Sequence, residues 1–200
     1  WRLRGAIMKS VTDREVQAMK IRPTDGPLGA YVLDVSLSDF PIGCERGGSD
    51  RCAIREVFWL HHVLVFPEQN LTEADQGEFS RILCDPVAHP TNHTNVGTLP
   101  EICLISNIEE DGKAAGAPGG DEVQFHSDLA FRPVPGSVSI LYDVEAPGQS
   151  GFTSWASGVV AWEALDGDSR ARFSGRKVKY SHSREDYRAG EQVIHPLHVA

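Results

Sequence analysis

No stretch of this 200-residue chain is apolar for anything near the ~20 residues that a membrane-spanning helix needs. Basic residues are also few. Lys+Arg 19 against Asp+Glu 28 gives a net charge of −9, and no cluster of Lys or Arg interleaves with aromatics, so the sequence carries no nucleic-acid footprint. Cysteine is sparse: Cys44, Cys52, Cys84 and Cys103 are scattered and none forms Cys-x-x-Cys, which argues against a zinc knuckle. Four dispersed thiols suit a reducing compartment as well as they suit disulfides. No secretory leader pattern opens the sequence, so the sequons at Asn70 and Asn92 carry no weight, and a cytoplasmic protein is expected. There is no internal repeat. The chain begins at Trp1 rather than Met, which leaves trimming at either end open.

What is present describes a globular chain. An apolar fraction of 40% with 24% charged residues suits a single domain over 1–200, or part of a larger one. Residues 30–35 read as a strand. From Arg51 onward, Ile54, Val57, Phe58 and His61 fall on one helical face. His62 to Phe66 form a short apolar run, expected as a buried strand. Thr72-Glu73-Ala74-Asp75 has the hydroxyl and acids of a helix start, with Phe79, Ile82 and Leu83 as its buried stripe. Residues 102–105 suggest a strand and 110–121 a flexible connection.

Residues 136–145 alternate, with Val138, Ile140, Tyr142 and Val144 opposite Ser137, Ser139, Leu141 and Asp143, the period of a strand. Val159 to Leu165 reads as a helix. Asp168 is the expected cap of a further helix stopping at Gly175, and residues 177–182 and 193–194 read as strands. Many short strands with few helices predict a mostly-β fold with flanking helices, a sandwich or jelly roll.

The most informative stretch is His126-Ser127-Asp128. Its apolar and aromatic flanks read as a strand, in which residues i and i+2 point to one side. An imidazole and a carboxylate would then converge, as two members of the 2-His-1-carboxylate set that binds non-haem Fe(II). A third ligand is not evident. His195 is a candidate by position, but its neighbour Pro196 favours a structural role. His61 and His62 read as partly buried structural imidazoles, His93 and His182 as solvated, and Trp155 and Trp162 as core packing.

Several segments, taken in order, resemble the taurine/phenoxyacetate dioxygenase family. Val63-Leu64-Val65-Phe66-Pro67-Glu68-Gln69 is similar to its strand, turn and glutamine, and Phe125-His126-Ser127-Asp128 to its metal motif. Gly148-Gln149-Ser150-Gly151-Phe152-Thr153-Ser154-Trp155 resembles its Gly-Gly-x-Thr-x-Trp segment. Ala161-Trp162-Glu163-Ala164-Leu165 and Ile194-His195-Pro196-Leu197 resemble later elements. Leu83-Cys84-Asp85 departs from the family's usual Phe-Gly-Glu, and the 110–121 region also differs.

The resemblance implies a double-stranded β-helix (jelly roll) and an enzyme using Fe(II), 2-oxoglutarate and O2. It implies His126 and Asp128 as iron ligands, Thr153 as a hydrogen-bond partner of a 2-oxoglutarate carboxylate, and His89 as a substrate contact. The family's distal histidine and its 2-oxoglutarate-binding arginine are expected beyond Ala200, with the C-terminal strands. The expected reaction hydroxylates a small anionic molecule (a sulfonate, sulfate ester, aryloxy acid or amino-acid derivative) and releases succinate and CO2. A small-molecule substrate is the only partner expected, apart from room for a homo-oligomer. Two alternatives stand beside this: an inactive jelly-roll binding or regulatory protein without a complete triad, and a zinc hydrolase built on His126 and Asp128.

Overall fold

The structure, a computed structural model, describes residues 19–39, 49–88, 99–114, 116, 124–145, 148–149, 151–180 and 193–197. His89, His93 and His182 lie outside them. The chain divides into two compact units, Trp1–Pro86 and Val87–Ala200. Among the described residues no helix is long and apolar enough to cross a membrane.

The first unit contains β1 (Lys20–Pro23), β2 (Ala30–Leu33), α1 (Ser49–His61), β3 (Leu64–Val65) and α2 (Glu73–Leu83). β2 lies between antiparallel β1 and parallel β3, so α1 is the crossover of a parallel pair. Helix α1 starts at Ser49, slightly before the expected Arg51, and its Ile54 and Val57 are buried, as are Ala30 and Val32 of β2, Leu37, and Phe79 and Ile82 of α2. The Phe66 and Phe79 rings meet edge-on, with centroids 5.2 Å apart. β3 is shorter and less buried than the apolar run 62–66 suggested: two residues pair, and Val65 is exposed.

Helix α2 begins as the sequence predicts. Thr72 Oγ1 accepts from the Asp75 N–H and the Asp75 carboxylate accepts from the Thr72 N–H, a complete capping box. Just before it, Gln69 ties three backbone groups together. Its Oε1 accepts from Leu37 N–H at 2.8 Å, and its Nε2 donates to the carbonyls of Val35 (2.9 Å) and Pro67 (2.8 Å). The loops after β2 and β3 are thereby stitched together by one side chain.

The second unit holds β4 (Glu109–Glu110), β5 (Lys113–Ala114), α3 (Gly158–Ala164), α4 (Gly167–Phe173), β6 (Lys177–Tyr180) and β7 (Val193–Pro196). β4 and β5 form a hairpin rather than the flexible connection expected from residue 110. The reason is the Asp111-Gly112 pair, whose positive φ values of 51° and 73° are those of the two-residue turn that matches strand twist. Helix α4 is capped by Asp166, not Asp168. The Asp166 side chain accepts from the Ser169 N–H at 2.7 Å, and Asp168 sits in the first turn instead. β6 and β7 pair antiparallel.

Two expected strands are not ladders here. Within residues 102–105 only Ile105 makes a bridge, and residues 136–145 pair with no strand among the described residues. The alternation of the latter survives as burial, with Val138, Ile140 and Tyr142 half-buried and their neighbours exposed. The described sheets are three separate ones, of three, two and two strands, with helices beside them.

Candidate metal centre

Residues 124–130 do not form the strand that the flanks of His126 suggested. The chain runs irregularly to Asp128 and turns there. Leu129 takes a left-handed φ of 53°, and Arg132 N–H closes the turn onto the Leu129 carbonyl at 2.9 Å. Pro133 and Pro135 follow, neither with an N–H to offer a ladder. The convergence argued from strand geometry nevertheless occurs by this other route: His126 Nε2 lies 3.2 Å from Asp128 Oδ1.

The tautomer of the neutral ring follows from its other nitrogen. His126 Nδ1 lies 2.8 Å from the Gln124 carbonyl oxygen, which can only accept, so Nδ1 carries the hydrogen. In the neutral ring this leaves the Nε2 lone pair facing a carboxylate. Two lone pairs so placed repel unless a proton or a cation lies between them. Metal-bound histidines commonly donate their second ring N–H to a carbonyl, which orients the ring as seen here. Neighbouring donors around an octahedral ion with bonds of about 2.1 Å stand about 3 Å apart, close to the observed separation. The pair fits one side of a divalent iron. Both side chains are about half exposed, which leaves the site open to small molecules.

Asp128 is held from the other side. Ser139 Oγ donates to Asp128 Oδ2, and Gly136 N–H donates to the Asp128 carbonyl at 3.1 Å. Neither residue stood out in the sequence. The available signal was the alternation of 136–145, which sets Ser139 opposite the apolar face.

The remaining sequence candidates are not gathered at this point. Among the described residues no group of three His, Cys, Asp or Glu side chains is arranged to hold a metal. Thr153 is exposed in the irregular segment before α3, and no hydrogen bond joins it to His126 or Asp128. His195 faces away from a ligand role, with Nε2 3.0 Å from the Arg132 carbonyl and its ring 5.7 Å from that of Tyr180.

The sequence of the Taurine catabolism dioxygenase TauD, TfdA family matches residues 21–198. The chain belongs to this family. Among the family's relatives, it is 28% identical over 186 residues to the (S)-phenoxypropionate/alpha-ketoglutarate-dioxygenase of Sphingobium herbicidovorans, covering 88% of this chain and 58% of that protein. It is 30% identical over 148 residues to the alpha-ketoglutarate-dependent sulfate ester dioxygenase of Pseudomonas putida, covering 74% of this chain and 44% of that protein. It is 26% identical over 190 residues to the alkylsulfatase of Acinetobacter baylyi, covering 94% and 55% respectively. The chain thus spans about half the length of these curated relatives.

Proposed function

We propose that this protein is an Fe(II)- and 2-oxoglutarate-dependent dioxygenase that hydroxylates a small anionic organic substrate. Aryloxy acids and sulfate esters are the first candidates, with sulfonates and amino-acid derivatives behind them. The observation that carries the reading is the His126–Asp128 pair: an imidazole whose Nδ1–H is already used, beside a carboxylate, within a family match over residues 21–198. The names of relatives acting on phenoxypropionate and on sulfate esters supply the substrate classes.

In this reading His126 and Asp128 hold the iron, and Thr153 donates its hydroxyl hydrogen to a carboxylate of 2-oxoglutarate. When bound, iron would activate O2 with 2-oxoglutarate as the co-reductant, one oxygen atom of O2 going into the succinate released with CO2 and the other into the substrate's new hydroxyl. The protein orients a substrate C–H bond and excludes water. On a carbon bearing an aryloxy or sulfate oxygen, hydroxylation gives a hemiacetal-type centre that releases the heteroatom group and leaves a carbonyl. His89, outside the described residues, is the proposed substrate contact. A third iron ligand comes from outside the described residues, as do the strands that complete a jelly roll.

Substrate-dependent succinate release in the presence of Fe(II), screened over phenoxy acids, sulfate esters, sulfonates and amino-acid derivatives, tests the proposal. His126→Ala should abolish it. Undiminished succinate production by that variant would sink the assignment. A protein without a third ligand would bind 2-oxoglutarate weakly and release no succinate, which is the behaviour of a non-catalytic relative. A zinc hydrolase would instead work with zinc and ignore 2-oxoglutarate.

A further inference from the structure

Asp128 is gripped twice by one short segment to which the family match gives no role. Gly136 N–H donates to its carbonyl at 3.1 Å, and three residues later Ser139 Oγ donates to Oδ2. The other carboxylate oxygen, Oδ1, stands 3.2 Å from His126 Nε2. We propose that Ser139 is a positioning residue for the iron centre: its hydroxyl sets the rotation of the Asp128 carboxylate so that Oδ1 is presented beside His126. This rests on the iron-centre reading above.

The physical case begins with the carboxylate itself. Rotation about the terminal torsion of an aspartate is broad and two-fold, so nothing intrinsic distinguishes one oxygen from the other. A half-exposed side chain such as that of Asp128 would sample both. A hydroxyl donating to one oxygen breaks that symmetry, and an O–H···O⁻ bond is stronger than a neutral one. It also withdraws Oδ2 from competition for the metal, leaving a single oxygen to ligate.

Ser139 can do this because its backbone is registered on that of Asp128. The Gly136 amide fixes the start of the segment, and Val138 and Ile140, half-buried on the opposite side, leave Ser139 toward the carboxylate. Glycine at 136 permits the close approach. A Cβ there would sit 3.1 Å from the Asp128 carbonyl oxygen, tighter than ordinary contact. Residues one shell out from a metal orient its ligands, and their loss lowers metal affinity without removing the ligands themselves.

The test is the Fe(II) dissociation constant, measured anaerobically by calorimetry on the wild-type protein and on Ser139→Ala, Ser139→Thr and Ser139→Val, with far-UV circular dichroism to check folding. Thr and Val differ only by a hydroxyl in place of a methyl, so this pair isolates the hydrogen bond even where Ala disturbs the fold. Ala and Val are expected to bind Fe(II) roughly tenfold more weakly than wild type, and Thr to restore most of the affinity. A Val variant that binds as tightly as Thr, or an Ala variant that matches wild type, overturns the positioning role and leaves the iron centre standing. A wild-type protein that binds no Fe(II) overturns both.

Discussion

The ring of His195 is committed to the main chain of Arg132: Nε2 donates to that carbonyl at 3.0 Å, tying β7 to the turn that begins at Asp128. A nitrogen that donates its hydrogen there cannot ligate a metal through the same atom. His195→Ala should therefore retain Fe(II) binding while loosening the turn, by about 1 kcal/mol for one lost hydrogen bond. Fe(II) titration beside His126→Ala, with amide exchange of residues 129–136, checks this. A loss of iron as complete as that of His126→Ala would make His195 a ligand after all.

The proposed contact of Thr153 with a 2-oxoglutarate carboxylate separates binding of the cosubstrate from binding of the metal. Thr153→Val keeps the shape and removes the donor, so the KM for 2-oxoglutarate is expected to rise roughly tenfold, the worth of one hydrogen bond to a charged group, with Fe(II) affinity unchanged. Steady-state kinetics at varied 2-oxoglutarate measures it. An unaltered KM would return Thr153 to the role of a plain loop hydroxyl.

Stability of the first unit depends on a small core. Ile54 is 1% exposed and packs where α1 meets the sheet, so Ile54→Ala should cost about 2–5 kcal/mol in denaturant unfolding of that unit. A cost below about 1 kcal/mol would mean that the site collapses around the cavity.

The end of α1 should make this unit sensitive to acid. Burial, and then the neighbouring His62, hold the His61 imidazole below its usual pKa of 6.5. The unfolded chain binds the proton more readily, so stability is fully present above about pH 6.5 and declines as pH falls toward the folded pKa. His61→Gln should flatten the pH dependence of thermal unfolding over that interval. A variant with the same slope as wild type would place the responsible group elsewhere.

What could be read from the sequence was what the chain decides locally. The capping box of Thr72 and Asp75, the apolar face of α1, and the extent of α3 depend on residues within four positions of each other, and they form where expected. The His126–Asp128 convergence was also legible, since two positions of any extended or turning chain bring such side chains close, although the strand invoked for it is absent. Pairing was not legible. Residues 136–145 carry the alternation of a strand, but a ladder needs a partner far away in sequence, and none lies among the described residues. The same limit hid Ser139, eleven residues from Asp128, and the use of His195, whose partner lies 63 residues earlier. At Asp111-Gly112 the signal was plain and local, and composition alone gave the wrong reading.

The apolar residues are unevenly sheltered. Ala30, Val32, Ile54, Val57, Phe79 and Ile82 are buried in the first unit, whereas Phe125, Val134, Val144 and Phe152 in the second are 74–84% exposed. Segments with few buried apolar contacts open locally at lower free energy than a packed core. Under native conditions a broad-specificity protease should cut first within residues 124–152, around the proposed iron site, and leave α1 and β2 intact. Cleavage there that slows when Fe(II) is added would report metal occupancy without any substrate, because a ligand held by the folded form lowers the population of the open one.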